Sequence, residues 1–239
     1  MKRLDVLAIG AHPDDVELSC AGTLIKLVKQ GRSVGILDLT EGELGTRGSR
    51  EIRIKEAEKA AEIMGIQPRL NLHLKDGDIK PDQENIIKLM EVIRTYSPDL
   101  LLFPYSVDRH PDHEHAHRLC TEAWFYSGLA KIMTAVGGQP QEPHRPRKYL
   151  NYMQWHEFTP SIIVNITDEF PEKMMAIQAY ASQFHNPDSV EPQTLLSDPE
   201  FFAFLETRAS YYGSKIGTKY GEPFWTPSIP GIDDLYTLI

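Results

Sequence analysis

Residues 11–17 have the sequence AHPDDVE, whose polar and charged residues lie between an apolar strand pattern and a helical pattern. The apolar run from Leu4 to Ala11 predicts a buried strand, and a helical pattern begins near Leu18. The stretch between them is therefore predicted to be a strand-to-helix turn. Open α/β sheets bind their ligands at such turns, beyond the carboxyl ends of their strands.

A second polar cluster has the same position relative to a later apolar run. Residues 110–117 have the sequence HPDHEHAH and follow the run from Leu100 to Tyr105. Imidazoles and carboxylates from two strand ends can meet at one divalent metal ion. Two histidines and one carboxylate, with positions left open to water, form the ligand set of catalytic zinc sites and of some non-haem iron sites. The two clusters together therefore predict a metal-dependent enzyme.

The first half of the chain alternates between strand and helix patterns. Strands are predicted at 4–11, 33–39, 70–74 and 100–105, and a helix is predicted after each of them. Four strand–helix units in succession are typical of a parallel sheet with right-handed crossovers. We therefore predict an α/β fold, a Rossmann-like three-layer sandwich with a mostly parallel central sheet. One domain is expected to span residues 1–239.

Helix and strand patterns continue in the second half of the chain. The elements predicted there are helices at 114–136, 169–184 and 195–212 and strands at 149–155 and 161–166. In the first half, Ser49 is predicted to cap a helix from Arg50 to Met64 that ends at Gly65. Beyond Gly213 the sequence is rich in glycine, proline and aromatic residues, and this tail is predicted to be an irregular segment or a subunit contact.

The composition excludes several classes of protein. The chain has 239 residues, 25 of them basic and 34 acidic, and a formal net charge of −9. Nucleic-acid binding requires a basic face, so nucleic acid is not an expected partner. No apolar run approaches the roughly 18 residues that span a bilayer, so no membrane contact is expected and the protein is predicted to be cytoplasmic. Cys20 and Cys120 are predicted to be buried, reduced thiols.

Three arginines follow the second predicted strand at close spacing, namely Arg47, Arg50 and Arg53. In an acidic protein, such a local positive patch beside a strand-end loop can bind a substrate carboxylate. The alternative is a solvated helix face on which Glu51 and Glu56 pair with the arginines. The sequence leaves both interpretations open.

The chain resembles one enzyme family over nearly its whole length. AHPDD at 11–15 and HPDH at 110–113 look like the two motifs of the zinc-dependent N-acetylglucosaminide deacetylases of the LmbE and PIG-L family. TEGELGTRG at 40–48, YYG at 211–213 and YGEPF at 220–224 look more narrowly like the bacillithiol biosynthesis branch of that family. The resemblance implies the Rossmann-like fold already predicted and a hydrolase acting on an amide bond.

The resemblance also implies the roles of the motif residues. The implied ligands of a zinc ion are His12, Asp15 and His113. Another divalent ion such as Fe²⁺ is the alternative, because metal supply also decides which ion is bound. Asp14 is the implied general base for the attacking water, and His110 is expected to stabilise the oxyanion while Asp112 holds its other ring nitrogen. The alternative in which His110 instead of His113 binds the metal stays open at this point.

A small N-acetylglucosaminyl substrate is implied as the partner. The family pattern favours Arg53 as a contact to a sugar hydroxyl, and Glu43, Asp76 and Arg47 are further candidate contacts. For the bacillithiol branch the implied substrate is N-acetylglucosaminyl malate, whose two carboxylates suit the arginine-rich loop. The resemblance further implies a homo-oligomer, of which a hexamer is one form.

Other functions are compatible with the same sequence. An amidase of this architecture that cleaves bacillithiol S-conjugates would use the same metal chemistry on a larger amide. A non-catalytic sugar-binding protein would use the strand-end cleft without releasing acetate. A redox iron enzyme shares the ligand set but gives Asp14 no purpose. Acetate release and its loss on chelation separate these functions from the deacetylase.

Overall fold

The computed structural model describes residues 3–237, and strands and helices alternate over the first half of this range. The strands are β1 (Val6–Gly10), β2 (Val34–Thr40), β3 (Arg69–Leu74), β4 (Leu100–Pro104), β5 (Ala135–Val136), β6 (Gln139–Pro140), β7 (Lys148–Tyr152), β8 (Ile162–Asn165) and β9 (Gly221–Trp225). The helices are α1 (Asp15–Lys29), α2 (Arg50–Met64), α3 (Gln83–Tyr96), α4 (Pro111–Ser127), α5 (Phe170–Gln178) and α6 (Phe201–Ser214), and a single 3-10 turn spans Leu235–Thr237.

Seven of the strands form one sheet in the order β3-β2-β1-β4-β7-β9-β8. The five strands from β3 to β7 are parallel to one another, whereas β9 is antiparallel to both of its neighbours, β7 and β8. The short strands β5 and β6 form a separate hairpin. The predicted α/β fold with a mostly parallel central sheet is confirmed.

The order of the strands reverses between β1 and β4. From β1 the chain continues to β2 and β3 on one side, and then crosses back to β4 on the other side. Ligand sites of open α/β sheets lie in the crevice that such a reversal opens at the carboxyl ends of the strands. Both polar motifs begin at these two strand ends, so the fold brings them together.

Two apolar cores separate the sheet from its helices. Residues of α1, α2 and α5 pack on one face, and residues of α3 and α4 pack on the other. Along β1, Val6 and Ala8 face the first core, and Leu7 and Ile9 face the second. Because both faces of this strand are covered, the strand is apolar and buried along its length.

Several helix ends differ from the predicted ones. The helix α2 has the predicted bounds, since the Ser49 hydroxyl accepts a hydrogen bond from the backbone N–H of Ile52 and Gly65 adopts a φ of 66°. The helix α4 begins at Pro111 and ends at Ser127 instead of near residue 136. Its end is set by Arg94 of α3, whose guanidinium binds the carbonyls of Ser127, Leu129 and Ile132.

The last two helices are shorter than predicted, and the tail contains a strand. The helix α5 ends at Gln178, and α6 begins at Phe201 because Pro199 disfavours helical geometry in the residue before it. The prediction of an irregular tail is wrong at β9, which lies inside the sheet. Gly221 and Pro223 argue against a central strand, and the pairing partners of β9 lie far away in sequence. No helix within residues 3–237 is both long and apolar enough to span a bilayer.

Candidate metal site and substrate cavity

Three largely buried side chains from the two motifs converge beyond β1 and β4. They are His12, Asp15 and His113, and one ligand atom of each lies within 4.8 Å of the others. The carboxylate of Asp15 is the shared neighbour. Its Oδ1 lies 3.2 Å from Nε2 of His113, and its Oδ2 lies 3.6 Å from Nδ1 of His12.

The outer ring nitrogen of each histidine faces a further carboxylate. Nδ1 of His113 lies 2.9 Å from Oδ1 of Asp108. Nε2 of His12 lies 3.1 Å from Oδ1 of Asp76 and 3.4 Å from Oδ2 of Asp112. A carboxylate at one ring nitrogen fixes the tautomer and leaves the lone pair of the other nitrogen for a metal ion. The donor set therefore fits a divalent cation.

The electrostatics of the site favour positive charge. Burial disfavours the charged form of His113, but Asp15 and Asp108 outweigh it and raise the pKa of this histidine to about 9. Burial likewise opposes the charge on His12, yet its contacts with Asp112, Asp15 and Asp76 hold its pKa well above the usual value. The carboxylates that favour protonation of the two imidazoles also favour binding of a metal cation, which competes with those protons.

A second group of possible ligands shares His12 with the first. Ligand atoms of His12, His110 and Asp112 also lie within 4.8 Å of one another. In this group Oδ2 of Asp112 already accepts a hydrogen bond of 2.7 Å from the backbone N–H of Gly77. Nδ1 of His110 accepts one of 3.2 Å from the backbone N–H of Asp112. With Nδ1 engaged as an acceptor, the neutral ring of His110 carries its proton on Nε2 and has no free lone pair for an ion, so the first group is the better metal site.

His110 is a neutral donor at the edge of the site. Burial, followed by the neighbouring His12 and His113, lowers the pKa of this imidazole. Because its Nδ1 is an acceptor, the neutral ring carries its proton on Nε2. The ring stacks on that of His113 at 4.9 Å and lines the cavity. An N–H donor is thus present at the cavity, where it could stabilise negative charge on a substrate oxygen.

Asp14 has an unusual backbone and a buried cation as partner. Its φ of 110° lies in the left-handed region. Arg53 donates from Nη2 to Oδ2 of Asp14 at 3.2 Å and to the carbonyl of Pro13, and from Nη1 to the carbonyl of Gly42. Burial raises the pKa of Asp14 to about 7, with Arg53 opposing the shift and Asp15 adding to it. Asp14 lines the cavity and contributes to neither group of possible ligands.

Several predicted contacts have protein partners instead of facing a substrate. The carboxylate of Asp112 binds Gly77 and His12. Asp112 holds the ring of His110, as predicted, but through its backbone N–H. Glu43 accepts a hydrogen bond of 2.9 Å from the backbone N–H of Asp76 and does not line the cavity. Asp76 does line the cavity, but its oxygens bind His12 and the backbone N–H of Leu44.

The three arginines of the predicted patch all have protein partners. Arg47 is buried and donates to the backbone carbonyls of Ser182, Phe184 and Pro192. Arg50 pairs with Glu41. Arg53 lines the cavity and donates to Asp14 and Gly42, and its role as a contact to a sugar hydroxyl stays a prediction. The partners of Arg47 come from a part of the chain that local spacing does not reveal.

The structure adds three residues that the sequence analysis did not single out. Asp108 lies two residues before His110 and holds the ring of His113. Gln154 follows β7, and its amide contacts Asp15 and His113. Arg208 of α6 binds the carbonyl of Gln154. Asp108 and Gln154 follow the strands β4 and β7, so an inspection of every strand end for polar residues would have found them.

A cavity of about 360 Å³ opens over these residues. Its floor is the polar group described above, and one wall is apolar. The apolar residues are Leu18, Trp155, Leu195, Leu196, Phe201, Phe204 and Leu205. The cavity therefore presents a metal site at one end and a hydrophobic surface beside it, the usual composition of a small-molecule site.

Comparison with known proteins identifies the family. Residues 7–124 match the family described as PIG-L, GlcNAc-PI de-N-acetylase. A diacetylchitobiose deacetylase of Thermococcus kodakarensis is 31% identical over 237 residues, which cover 95% of this chain and 84% of the relative. The chain belongs to the PIG-L family. The resemblance inferred from the two motifs is thus confirmed, and so is the expectation of a deacetylase, a hydrolase.

Two further proteins are similar to this PIG-L family chain, one of known structure and one named for its substrate. A conserved protein of Thermus thermophilus has a crystal structure that matches with a TM-score of 0.87 and 35% identity, covering 97% of this chain and 98% of that one. A probable N-acetyl-α-D-glucosaminyl L-malate deacetylase 2 of Bacillus anthracis is 29% identical, covering 75% of this chain and 81% of the relative. The similarity to the diacetylchitobiose deacetylase is higher than that to the malate enzyme.

Proposed function

We propose that this chain is a metal-dependent N-deacetylase that hydrolyses the acetamide of an N-acetylglucosamine unit in a small glycoside. The observation that carries the proposal is the arrangement around one cavity. Two histidines and a carboxylate form the proposed metal site, Asp14 lies beside it without contributing to it, and the neutral His110 lines the cavity. These are the three parts that hydrolysis of an amide by an activated water requires.

His12, Asp15 and His113 are the residues that would hold the ion, proposed to be Zn²⁺ with Fe²⁺ as the alternative. The ion supplies Lewis acidity, which polarises a carbonyl and lowers the pKa of water to about 7. Asp14 takes the proton from the attacking water, and Arg53 keeps its carboxylate in place. His110 donates its Nε2–H to the carbonyl oxygen as negative charge develops there. The proton on Asp14 is then available to the departing amine.

The cavity wall favours an uncharged group next to the sugar. The rings of Trp155 and Phe204 have centroids 5.4 Å apart, and these residues are 38% and 39% exposed. Half-exposed aromatic rings provide flat apolar surfaces, onto which the C–H face of a second sugar ring can pack. Diacetylchitobiose, the substrate in the name of the Thermococcus kodakarensis relative, is therefore the first candidate.

N-acetylglucosaminyl malate is the second candidate. The arginine patch predicted to bind its carboxylates has protein partners, but Arg109 offers a different cation. Its guanidinium lies over the ring of Trp155 at the cavity rim, 5.4 Å from the centroid, and has no carboxylate partner within the described residues. The expected homo-oligomer stays a prediction.

The test is acetate release from both substrates by protein of measured metal content, before and after chelation and metal add-back. We expect release to require the metal and to be faster with diacetylchitobiose. Asp14→Asn should keep the metal and lower kcat by roughly a hundredfold or more, since general-base catalysis contributes that much. Asp99→Asn is the control, because Asp99 lies at the amino end of β4, whereas the site lies beyond its carboxyl end.

Some outcomes would contradict the proposal. Release that persists without metal would exclude the metal-dependent mechanism, and an unimpaired Asp14→Asn variant would exclude Asp14 as the base. Cleavage of a bacillithiol S-conjugate without release of acetate from either sugar would favour the amidase. Sugar binding without turnover of any amide would favour a binding protein.

A further inference from the structure

Gln154 enters the metal site from a third strand end. It lies two residues beyond β7, the strand that pairs with β4. Its amide Nε2 is 2.7 Å from Oδ1 of Asp15 and 3.2 Å from Nε2 of His113. These two atoms are the ones that Asp15 and His113 direct at each other across the site. The end of the Gln154 side chain therefore faces the point to which the proposed ligands are directed.

The backbone around Gln154 is held on both sides. Arg208 of α6 donates one N–H to the carbonyl of Gln154 and another to the carbonyl of Leu18 at 3.1 Å. The next backbone N–H, that of Trp155, donates to Oδ2 of Asp108 at 2.8 Å. The other oxygen of Asp108 binds the ring of His113. One carboxylate thus fixes His113 and the Gln154 segment relative to each other, as a preorganised ligand set requires.

The amide oxygen of Gln154 is buried and has no hydrogen-bond partner within the described residues. A buried acceptor without a partner costs about 1–3 kcal/mol, so such an atom is expected to have a ligand or water as partner. The two ends of a carboxamide are nearly identical in shape. A half-turn about the last side-chain bond therefore exchanges oxygen and nitrogen and places the oxygen next to Asp15 and His113.

Charge decides which end of the amide faces the site when a cation is there. Asp108 fixes the proton of His113 on Nδ1, so Nε2 of His113 and Oδ1 of Asp15 both present lone pairs to Gln154. The amide N–H₂ can donate to those lone pairs, but its hydrogens would repel a cation that the same lone pairs attract. The amide oxygen would add a further donor of the kind that divalent ions accept.

We propose that Gln154 is a further ligand of the metal ion through its amide oxygen, together with His12, Asp15 and His113. This inference rests on the proposed metal site. It concerns ion binding alone, so it can fail while acetate release is observed, and it can hold where no acetate is released. It assigns a ligand from β7 in addition to those of the two motifs, and it links the site to α6 through Arg208.

The test is the dissociation constant for Zn²⁺, measured by competition with a chromophoric chelator, and the visible absorption of the Co²⁺ form. Gln154→Ala should weaken Zn²⁺ binding by roughly ten- to a hundredfold, the usual effect of losing a supporting group at a metal site. Gln154→Glu keeps the shape and presents oxygen on both ends. It should bind Zn²⁺ at least as tightly as the unchanged protein, and both changes should alter the Co²⁺ spectrum.

Gln183 provides the matched control. It also lines the cavity, but its amide donates to the carbonyl of Arg47 and the hydroxyl of Ser182. Gln183→Ala should leave the Zn²⁺ constant and the Co²⁺ spectrum unchanged. Weaker binding by Gln154→Glu would show that the residue acts only as an N–H donor to Asp15 and would overturn the proposal. So would unchanged binding by Gln154→Ala, and thermal unfolding of each variant identifies any loss caused by misfolding.

Discussion

At the scale of single residues, Arg53 stabilises the least favourable backbone conformation of the site. Asp14 has φ 110° and ψ −26°, a region that side-chain-bearing residues rarely adopt at a cost of about 1–3 kcal/mol. Arg53 of the neighbouring helix α2 binds the carbonyl of Pro13 and the carboxylate of Asp14. Gly42 makes room for it, because a Cβ there would collide with the guanidinium. The site therefore stores strain where it positions its proposed base.

Replacing Arg53 by Met tests how its charge acts on that base. The positive charge of Arg53 lowers the pKa of Asp14, so its removal raises this pKa further. A general base must be unprotonated, and the acidic limb of the kcat/KM profile should therefore move to higher pH by about one unit or more. A pH–rate profile measures the shift, and metal content should stay unchanged. Arg50→Met is the control. Arg50 lies on the same helix as Arg53 but is exposed and pairs with Glu41, so its loss should leave the acidic limb of the profile in place.

The sequence predicted those site residues whose position follows from local spacing. His12 and Asp15 share one turn, and His113 follows the neighbouring strand, so topology alone brings them together. The partners of Arg47 and Asp112 were not predictable in this way. Each binds backbone atoms of a segment that only the folded chain brings near, at Ser182 and Gly77. Charge and spacing show that such residues are present, but not which groups neutralise them.

At the scale of elements, a side chain from β9 organises the kink in α1. Cys20 interrupts the helix with φ −138°. Glu222 accepts hydrogen bonds from the backbone N–H groups of Gly22 and Thr23, at 3.0 and 2.7 Å. Backbone N–H groups at a helix start lack partners within the helix, so Glu222 caps the second half of α1. Lys173 of α5 balances its charge at 2.6 Å.

We expect Glu222→Gln to lower the free energy of unfolding by about 3 kcal/mol, because it leaves the buried ammonium of Lys173 without a counter-ion. Urea denaturation measures this change. The control is Glu62→Gln, since Glu62 pairs with Lys59 in full contact with solvent and should contribute less than about 1 kcal/mol. Equal effects of the two changes would show that the buried ion pair stabilises the fold no more than an exposed one.

The same distinction explains which elements were predictable. The helix α2 carries its own start and stop signals at Ser49 and Gly65, and its bounds were correct. The end of α4 depends on Arg94, and the kink of α1 depends on Glu222. The strand β9 has a sequence that suits a loop, and it becomes a strand because open edges of β7 and β8 are available to it. Periodicity does not contain this information.

At the scale of the whole molecule, Arg47 joins two distant parts of the chain. It lies in the loop after β2 and binds carbonyls of the segment from Ser182 to Pro192. That segment leads to Leu195 and Leu196 on the apolar cavity wall, and then to α6. The cavity thus has the three proposed motif ligands on the first half of the chain and its apolar wall mostly on the second.

Arg47→Met should loosen this connection. We expect chymotrypsin to cleave the segment from residue 184 to 201 at least about tenfold faster, because cleavage follows the population of the locally opened state. The KM for the glycoside should rise while the affinity for Zn²⁺ stays the same. Arg145→Met is the control, since Arg145 binds the carbonyl of Phe125 far from this segment. An equal cleavage rate in both variants would show that other contacts hold the segment.

Because β9 lies inside the sheet, the sheet cannot be completed until β9 has been synthesised. The strand β8 has no hydrogen-bonded contact with β7 within the described chain and reaches the sheet only through β9. A ribosome releases β8 well before β9, so the nascent chain carries two open strand edges until residue 225 has emerged. Such edges are sites of aggregation. Of the described strands β9 is thus synthesised last, and it is the one that joins β8 to the rest of the sheet, so premature termination before it would leave an aggregation-prone fragment.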